Sequence, residues 1–139
     1  MITRIAHIGI AVRSLDEHLP FYRDALHLPL QGIEEVPEQK VRVAMFRVGE
    51  ATIELLEPTS PDSPIASFWE KRGEGLQHLA SASDDIVGQI ADLKAHGVRM
   101  LDEVPRRGAH GTAIAFLHPS SSGKVLTEIC QHQGESHEH

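Results

Sequence analysis

The stretch RIAHIGIAV (residues 4–12) alternates between apolar and other side chains as a strand does, and LQHLASA (residues 76–82) restarts the pattern later in the chain. Each carries one histidine, and His7 and His78 stand 78 − 7 = 71 positions apart. At the same spacing VAMF (43–46) falls on IAFL (114–117). Glu54 in TIELLE and Glu128 in LTEIC are 128 − 54 = 74 apart. The three extra residues are absorbed by the Ser/Gly-rich hairpin loop HPSSSGK, where lengthening costs little. Internal repetition at this scale decides architecture. The chain reads as an α+β protein of two βαβββ repeats, about 4–75 and 76–131.

Outward from these strands the punctuation follows the same plan. Ser14 can cap a helix, with Glu17 completing a capping box, and the helix runs through Leu15, Leu19, Tyr22 and Leu26. A mixed loop with Gly32 and Pro37 leads to VRVAMF (41–46), a Gly49-Glu50 turn and TIELLE (52–57), which form a hairpin. Ser63 as N-cap, Pro64 at the first helical position and Gly73 past the end delimit a second helix. In the second half Ser83 serves as a cap before a helix carrying Ile86, Ile90 and Leu93 and ending at Gly97. Strands are expected near 98–101, 112–117 and 125–131. Residues 133–139 read as a polar, disordered tail.

Composition bounds the function classes. At 139 residues and 15.3 kDa the chain is one domain able to bury a core unaided. Twenty acidic against 13 basic residues give a net charge of −7, which opposes attraction to phosphate backbones, so nucleic acid is an unfavourable partner. No apolar run approaches the roughly 20 residues of a membrane span. The start lacks a signal-peptide pattern, and a single cysteine, Cys130, allows no internal disulfide, so a reducing cytoplasm is expected. Ten histidines in such a chain call for a ranking. His18, His27 and His96 lie on or after helices, His118 precedes a proline, and His132, His137 and His139 sit at the polar end.

The repeat selects the remaining set. Two βαβββ units can pair so that their sheets curve into a partly closed mixed sheet around a cleft. A pseudo-twofold then brings His7, Glu54, His78 and Glu128 to one place. Two imidazoles and two carboxylates suit a divalent transition ion and leave positions open for water or substrate. Parity is consistent: His7 shares its face with Gly9 and Ala11, Glu54 with Thr52 and Leu56, and His78 with Leu76 and Ala80.

At these residues the chain resembles the vicinal oxygen chelate superfamily, which contains glyoxalase I, extradiol dioxygenases, fosfomycin-resistance proteins and methylmalonyl-CoA epimerases. HIGIAV, the repeated βαβββ pattern and the His/Glu/His/Glu set carry the resemblance. Within the superfamily the similarity is greatest to the methylmalonyl-CoA epimerases, over residues 4–131. It rests on EQKVRVAMF (38–46), IELLEPTSPDSPIASFWEKRGEG (53–75) and PRRGAHGTAIAFLHPSSSGKVLTEICQ (105–131).

The resemblance implies a divalent metal (Co, Mn, Ni or Zn) held by His7, Glu54, His78 and Glu128, an acyl-CoA substrate and a homodimer. It also implies that Glu128 is the catalytic carboxylate. Epimerisation removes an acidic proton next to a carbonyl and returns it on the other face through an enolate, so two bases are needed. Glu54 and Glu128 are the expected pair. Some relatives carry a glutamate where this chain has Val43, Gln77 replaces the first member of a usual His-His pair, and Ser120 replaces a usual lysine. Coenzyme A brings phosphates to an acidic protein, which points to Arg106, Arg107 and Lys124 as local cations and to His110 in GAHG as a substrate contact. A glyoxalase I type lyase and a non-catalytic binding or resistance protein on the same fold are the alternatives. An extradiol dioxygenase fits less well, because Glu54 supplies a fourth ligand.

Overall fold

Strand alternation divides every sheet residue between a face that a helix covers and a face that it does not, and this division governs both parts of the molecule. The computed structural model describes residues 1–132; the tail at 133–139 lies outside them. The chain forms two compact units, one of His7–Gln77, the other of Met1–Ala6 with the residues from His78 onward. These units differ from the sequence halves: the chain passes between them inside its first strand, at Ala6 and His7, and again at Gln77 and His78.

In the His7–Gln77 unit the strand order is β2 (Leu30–Val36), β3 (Val41–Val48), β4 (Ala51–Pro58), β1 (Ile2–Ala11). The later part of β1 (Ile2–Ala11) runs parallel to β4 (Ala51–Pro58). The strands β4 and β3 (Val41–Val48) form the expected antiparallel hairpin about Gly49, whose φ of 62° suits a glycine. Helix α1 (Leu15–Leu19) lays Leu15 and Leu19 on Val12, Ala44, Phe46 and Leu55, with Ile10, Tyr22 and Ile53 at the margin. Burial of Phe46 and Leu55 contributes about 1.5–3 kcal/mol each. The opposite parity leaves His7, Gly9, Val43, Met45, Glu54 and Leu56 on the face away from α1.

Three local expectations change here. The loop around Gly32 is in fact a strand, β2 (Leu30–Val36), antiparallel to β3, with a register irregularity between Leu30 and Gly32. Its exposed alternate positions are Gln31, Ile33 and Glu35, and the mixture of polar groups, glycine and isoleucine disguises the edge strand in sequence. Ser14 occupies the N-cap but makes no side-chain cap bond. Instead the Glu74 carboxylate accepts from the Arg13 N–H at 2.6 Å, and Glu57 accepts from the Leu15 N–H at 3.0 Å. Both carboxylates are remote in sequence, so no local capping box reveals them. Pro20, without an N–H, interrupts the α-helical ladder, and Pro20–Ala25 continue as a π turn in which Leu26 N–H donates to Phe21 O at 2.8 Å. The second helix, α2 (Pro64–Arg72), has the expected ends: Ser63 Oγ accepts from Ile65 N–H, and Gly73 follows with φ 78°.

In the other unit the order is β1, β5 (Gly75–Ser83), β8 (Thr127–Gln131), β7 (Ala113–Leu117), β6 (Arg106–Arg107). The start of β1 is fastened to the end of β5 (Gly75–Ser83) by Asp84 N–H donating to Met1 O and by the terminal ammonium on Asp84 Oδ1 at 2.7 Å. Strand β5 runs parallel to β8 (Thr127–Gln131), and β8 is antiparallel to β7 (Ala113–Leu117). Helix α3 (Ile86–Ala95) packs Ile86, Ile90 and Leu93 on Ala115, Leu117 and Ile129. The reverse face gathers Ala6, Ala80, Ala82, Ile114 and Cys130, with Phe116 at the margin. The N-cap of α3 is Asp85 rather than Ser83, whose hydroxyl accepts from Asp85 N–H one step earlier. The strand expected near 98–101 reduces to a single Met100–Leu117 bridge, and the edge strand is β6 (Arg106–Arg107).

The Glu74 contact makes acid stability testable. The Arg13 backbone N–H foremost, and then the His18 side chain, hold the Glu74 carboxyl below its ordinary value of 4.5. A carboxyl depressed on folding contributes stability fully above that value and loses it as pH falls through the folded-state pKa. Urea denaturation between pH 6 and 3 should show a shallower acid limb in Glu74→Gln than in the parent protein.

Candidate active site

Parallel pairing of β1 with β4 sets Gly9 opposite Glu54, and parallel pairing of β5 with β8 sets Ala80 opposite Glu128. In each case the histidine lies two residues before the small residue and therefore on the same face. Diagonal neighbours of this kind are roughly 7–8 Å apart at the backbone, within reach of an imidazole and a glutamate. His7 Nδ1 lies 3.5 Å from Glu54 Oε2, and His78 Nε2 lies 3.2 Å from Glu128 Oε1. Gly9 or Ala80 at the crossing leaves space through which each pair can meet; a branched side chain would occupy it. The repeat inferred from sequence thus appears as the same register in both units.

The pairs differ in burial. Side chains of His7 and Glu54 are each 12% exposed, those of His78 and Glu128 6% and 5%. A buried carboxylate requires a partner charge or hydrogen bonds to offset lost hydration. An imidazole nitrogen beside a carboxylate oxygen, on a face otherwise built of alanine, isoleucine, cysteine and phenylalanine, fits a borderline divalent cation in donor chemistry.

The expected substrate-side residues are less uniform. Arg106 is committed in part: its Nε lies 3.2 Å from Asp102 Oδ1, and its guanidinium carbon sits 5.5 Å from the centre of the Phe116 ring. Arg107 is exposed beside it on the edge strand. Lys124 is exposed, with a left-handed φ of 69°, in the turn before β8. The backbone of His110 lies in a single 3-10 turn, Ala109–Gly111. The adjoining Gly108 is a packing glycine, since a Cβ there would approach Ile114 Cγ2 to 2.7 Å and Thr112 Oγ1 to 2.9 Å. Val43 is buried between Glu34 and Leu56, so the position at which the family resemblance raises the expectation of an acid is apolar here. Cys130 is a buried thiol in the apolar cluster. Arg13 covers Trp69 and Arg72 covers Phe68.

Sequence reasoning missed Phe116. Its ring meets His78 edge to face, centroids 5.7 Å apart, and it is the cross-strand partner of Glu128. The repeat held the signal, because IAFL was already aligned with the strand neighbouring the glutamate. A further group, Glu17, His18 and Glu74, brings potential ligand atoms within 4.8 Å of one another. Its central contact, His18 Nε2 to Glu74 Oε2 at 2.9 Å, shares the carboxylate that anchors Arg13.

Residues 6–116 match the family model of the Glyoxalase/Bleomycin resistance protein/Dioxygenase superfamily. The chain is 37% identical to the mitochondrial methylmalonyl-CoA epimerase of Homo sapiens, over 92% of this chain and 73% of that protein. The chain belongs to the methylmalonyl-CoA epimerase family. Another relative of the epimerase chain is the uncharacterised protein YqjC of Bacillus subtilis, 42% identical over 98% of this chain and 97% of that one. Among solved structures, a Streptomyces coelicolor methylmalonyl-CoA epimerase variant in complex with 2-nitronate-propionyl-CoA superposes with a TM-score of 0.92. It is 40% identical and covers 96% of each chain. A lactoylglutathione lyase of Arabidopsis thaliana is more distant, at 24% identity over 82% of this chain and 40% of that protein. The glyoxalase alternative is therefore the weaker match for this epimerase-family chain.

If room at the strand crossing is what lets each pair meet, Ala80→Val should push His78 away from Glu128. Overpacking at this fully buried position should lower unfolding free energy by about 1–3 kcal/mol, measured by urea denaturation.

Proposed function

We propose that the protein interconverts the (R) and (S) forms of methylmalonyl-CoA by removing and returning the proton at C2 through an enolate. The observation that carries this reading is the recurrence, in an epimerase-family chain, of one buried His–Glu pair in the same register in each unit. Both histidines, moreover, are the residues at which the chain passes from one unit to the other.

His7 with Glu54, and His78 with Glu128, are proposed as the ligands of a divalent cation, of the kind that enzymes of this superfamily bind; Co, Mn, Ni and Zn all suit the donor set. Such an ion supplies Lewis-acid stabilisation of the negative charge that develops on the thioester oxygen, worth several kcal/mol. The proton itself is moved by the chain. Glu128 takes it from C2 on a carboxylate oxygen, and Glu54 serves as the second base, a role that Val43 cannot fill. The greater exposure of the Glu54 pair suits a carboxylate that must loosen to exchange a proton. Around His78 and Glu128 the apolar residues limit water, which strengthens charge interactions and protects an enolate from stray protonation.

Arg106, Arg107, His110 and Lys124 are proposed to meet the acyl-CoA, the cations among them offsetting locally the net charge of −7. The enzyme is proposed to act as a homodimer in a reducing cytoplasm, where Cys130 stays a thiol. Among the described residues no helix is long and apolar enough to cross a membrane.

The test is solvent exchange. Metal-supplied protein incubated with racemic methylmalonyl-CoA in deuterium oxide should incorporate deuterium at C2, while the hemithioacetal of methylglyoxal should not be converted. Glu128→Gln should lower exchange by about 10²-fold or more. Lactoylglutathione formation without exchange, or full activity in Glu128→Gln, would overturn the reading.

A further inference from the structure

We infer that Phe116 is a positioning residue for His78, held in place by Asp102 and Arg106. The inference rests on the proposed cation and proton chemistry of the His78–Glu128 pair. Five contacts within one unit form a continuous series. The Asp102 carboxylate uses its two oxygens on two partners: Oδ2 accepts from the Phe116 backbone N–H at 2.9 Å, and Oδ1 pairs with Arg106 Nε at 3.2 Å. The guanidinium then lies over the Phe116 ring, 5.5 Å from its centre. The same ring meets His78 in an edge geometry, with centroids 5.7 Å apart and planes at 77°. Beyond it His78 Nε2 faces Glu128 Oε1 at 3.2 Å.

The physical consequence concerns the imidazole plane. A histidine ring turns easily about its last side-chain bond, and only the nitrogen direction makes it a useful donor. Edge-to-face aromatic contacts have a preferred geometry worth about 0.5–1.5 kcal/mol beyond area burial, enough to favour one ring plane over its neighbours. Asp102 fixes the strand beneath Phe116 and the cation above it, so the ring that fixes His78 is itself fixed. The arrangement belongs to one half only. The position 71 residues before Phe116 is Met45, likewise opposite a glutamate, Glu54, and a flexible thioether cannot present an aromatic edge. The greater burial of the His78–Glu128 pair than of His7–Glu54 agrees with this asymmetry. The His78–Glu128 pair is the more deeply buried of the two and has the aromatic neighbour.

The experiment uses Phe116→Leu, Phe116→Tyr and Asp102→Asn in the full chain. The ¹³C order parameter of the His78 ring, measured in cation-free protein, should fall in Phe116→Leu, fall less in Asp102→Asn and keep its parent value in Phe116→Tyr. Titration with cobalt(II) alone should show affinity about 10-fold weaker in Phe116→Leu and restored in Phe116→Tyr. In turnover, kcat should fall while KM for the acyl-CoA stays constant. An unchanged His78 order parameter in Phe116→Leu, or in Asp102→Asn should the leucine variant not fold, would overturn the inference. Parent protein that fails to exchange deuterium at C2 would refute the proposed function instead, leaving the ring measurement to decide the role of Phe116.

Discussion

Everything chemically distinctive in this protein depends on one constraint of strand pairing: a glutamate stands opposite the small residue that follows a histidine by two positions. Gly9 faces Glu54 and Ala80 faces Glu128. Parallel register alone would only bring the backbones together. The missing side-chain bulk at the crossing lets imidazole and carboxylate meet across the diagonal, and the period of two keeps both on one face. A slip of one residue would turn every one of these groups to the helix-covered side.

That other side explains how the cost is met. Burying carboxylates and imidazoles opposes folding unless they pair, so stability must come from elsewhere. In one unit Leu15 and Leu19 pack on Phe46 and Leu55; in the other Ile86 and Ile90 pack on Leu117 and Ile129. The strands are thus double-sided in function: one parity carries the apolar contacts that hold the sheet, the other carries the reactive set. The three-residue excess between Glu54 and Glu128 does not disturb this. Phe46 pairs with Ile53 and Leu117 with Thr127, so the extra residues lie in the hairpin loop between β7 and β8, outside the register.

The repeat arithmetic, the hairpin, the ends of α2 and the His–Glu pairs were legible because each has a local or periodic signature. Strand β2 was not, since Gly32 and the two glutamates of LQGIEEV conceal an edge strand whose outer face is wet. The capping of α1 was misread for a different reason. Ser14 has the right chemistry and position, yet its side chain makes no cap bond; Glu57, 42 residues away, accepts from the Leu15 N–H at the helix start, and Glu74, 61 residues away, accepts from the Arg13 N–H just before it. Phe116 was passed over because an aromatic in an apolar strand looks like core, and only its contact with His78 distinguishes it.

By itself the sequence determined which residues could form the reactive set. Recurrence at 71 and 74 positions selects two histidines of ten and two glutamates among 20 acidic residues, and alternation assigns their faces. The tertiary structure alone decided how the paired groups differ. Equivalent positions in two repeats are equal in pattern, but the burial of each pair and the seating of the Phe116 ring between Arg106 and His78 depend on tertiary packing. The alternation that sets each group on its face is periodic and therefore written locally; the environment that buries one pair more deeply than the other is a sum of tertiary contacts, which no period encodes.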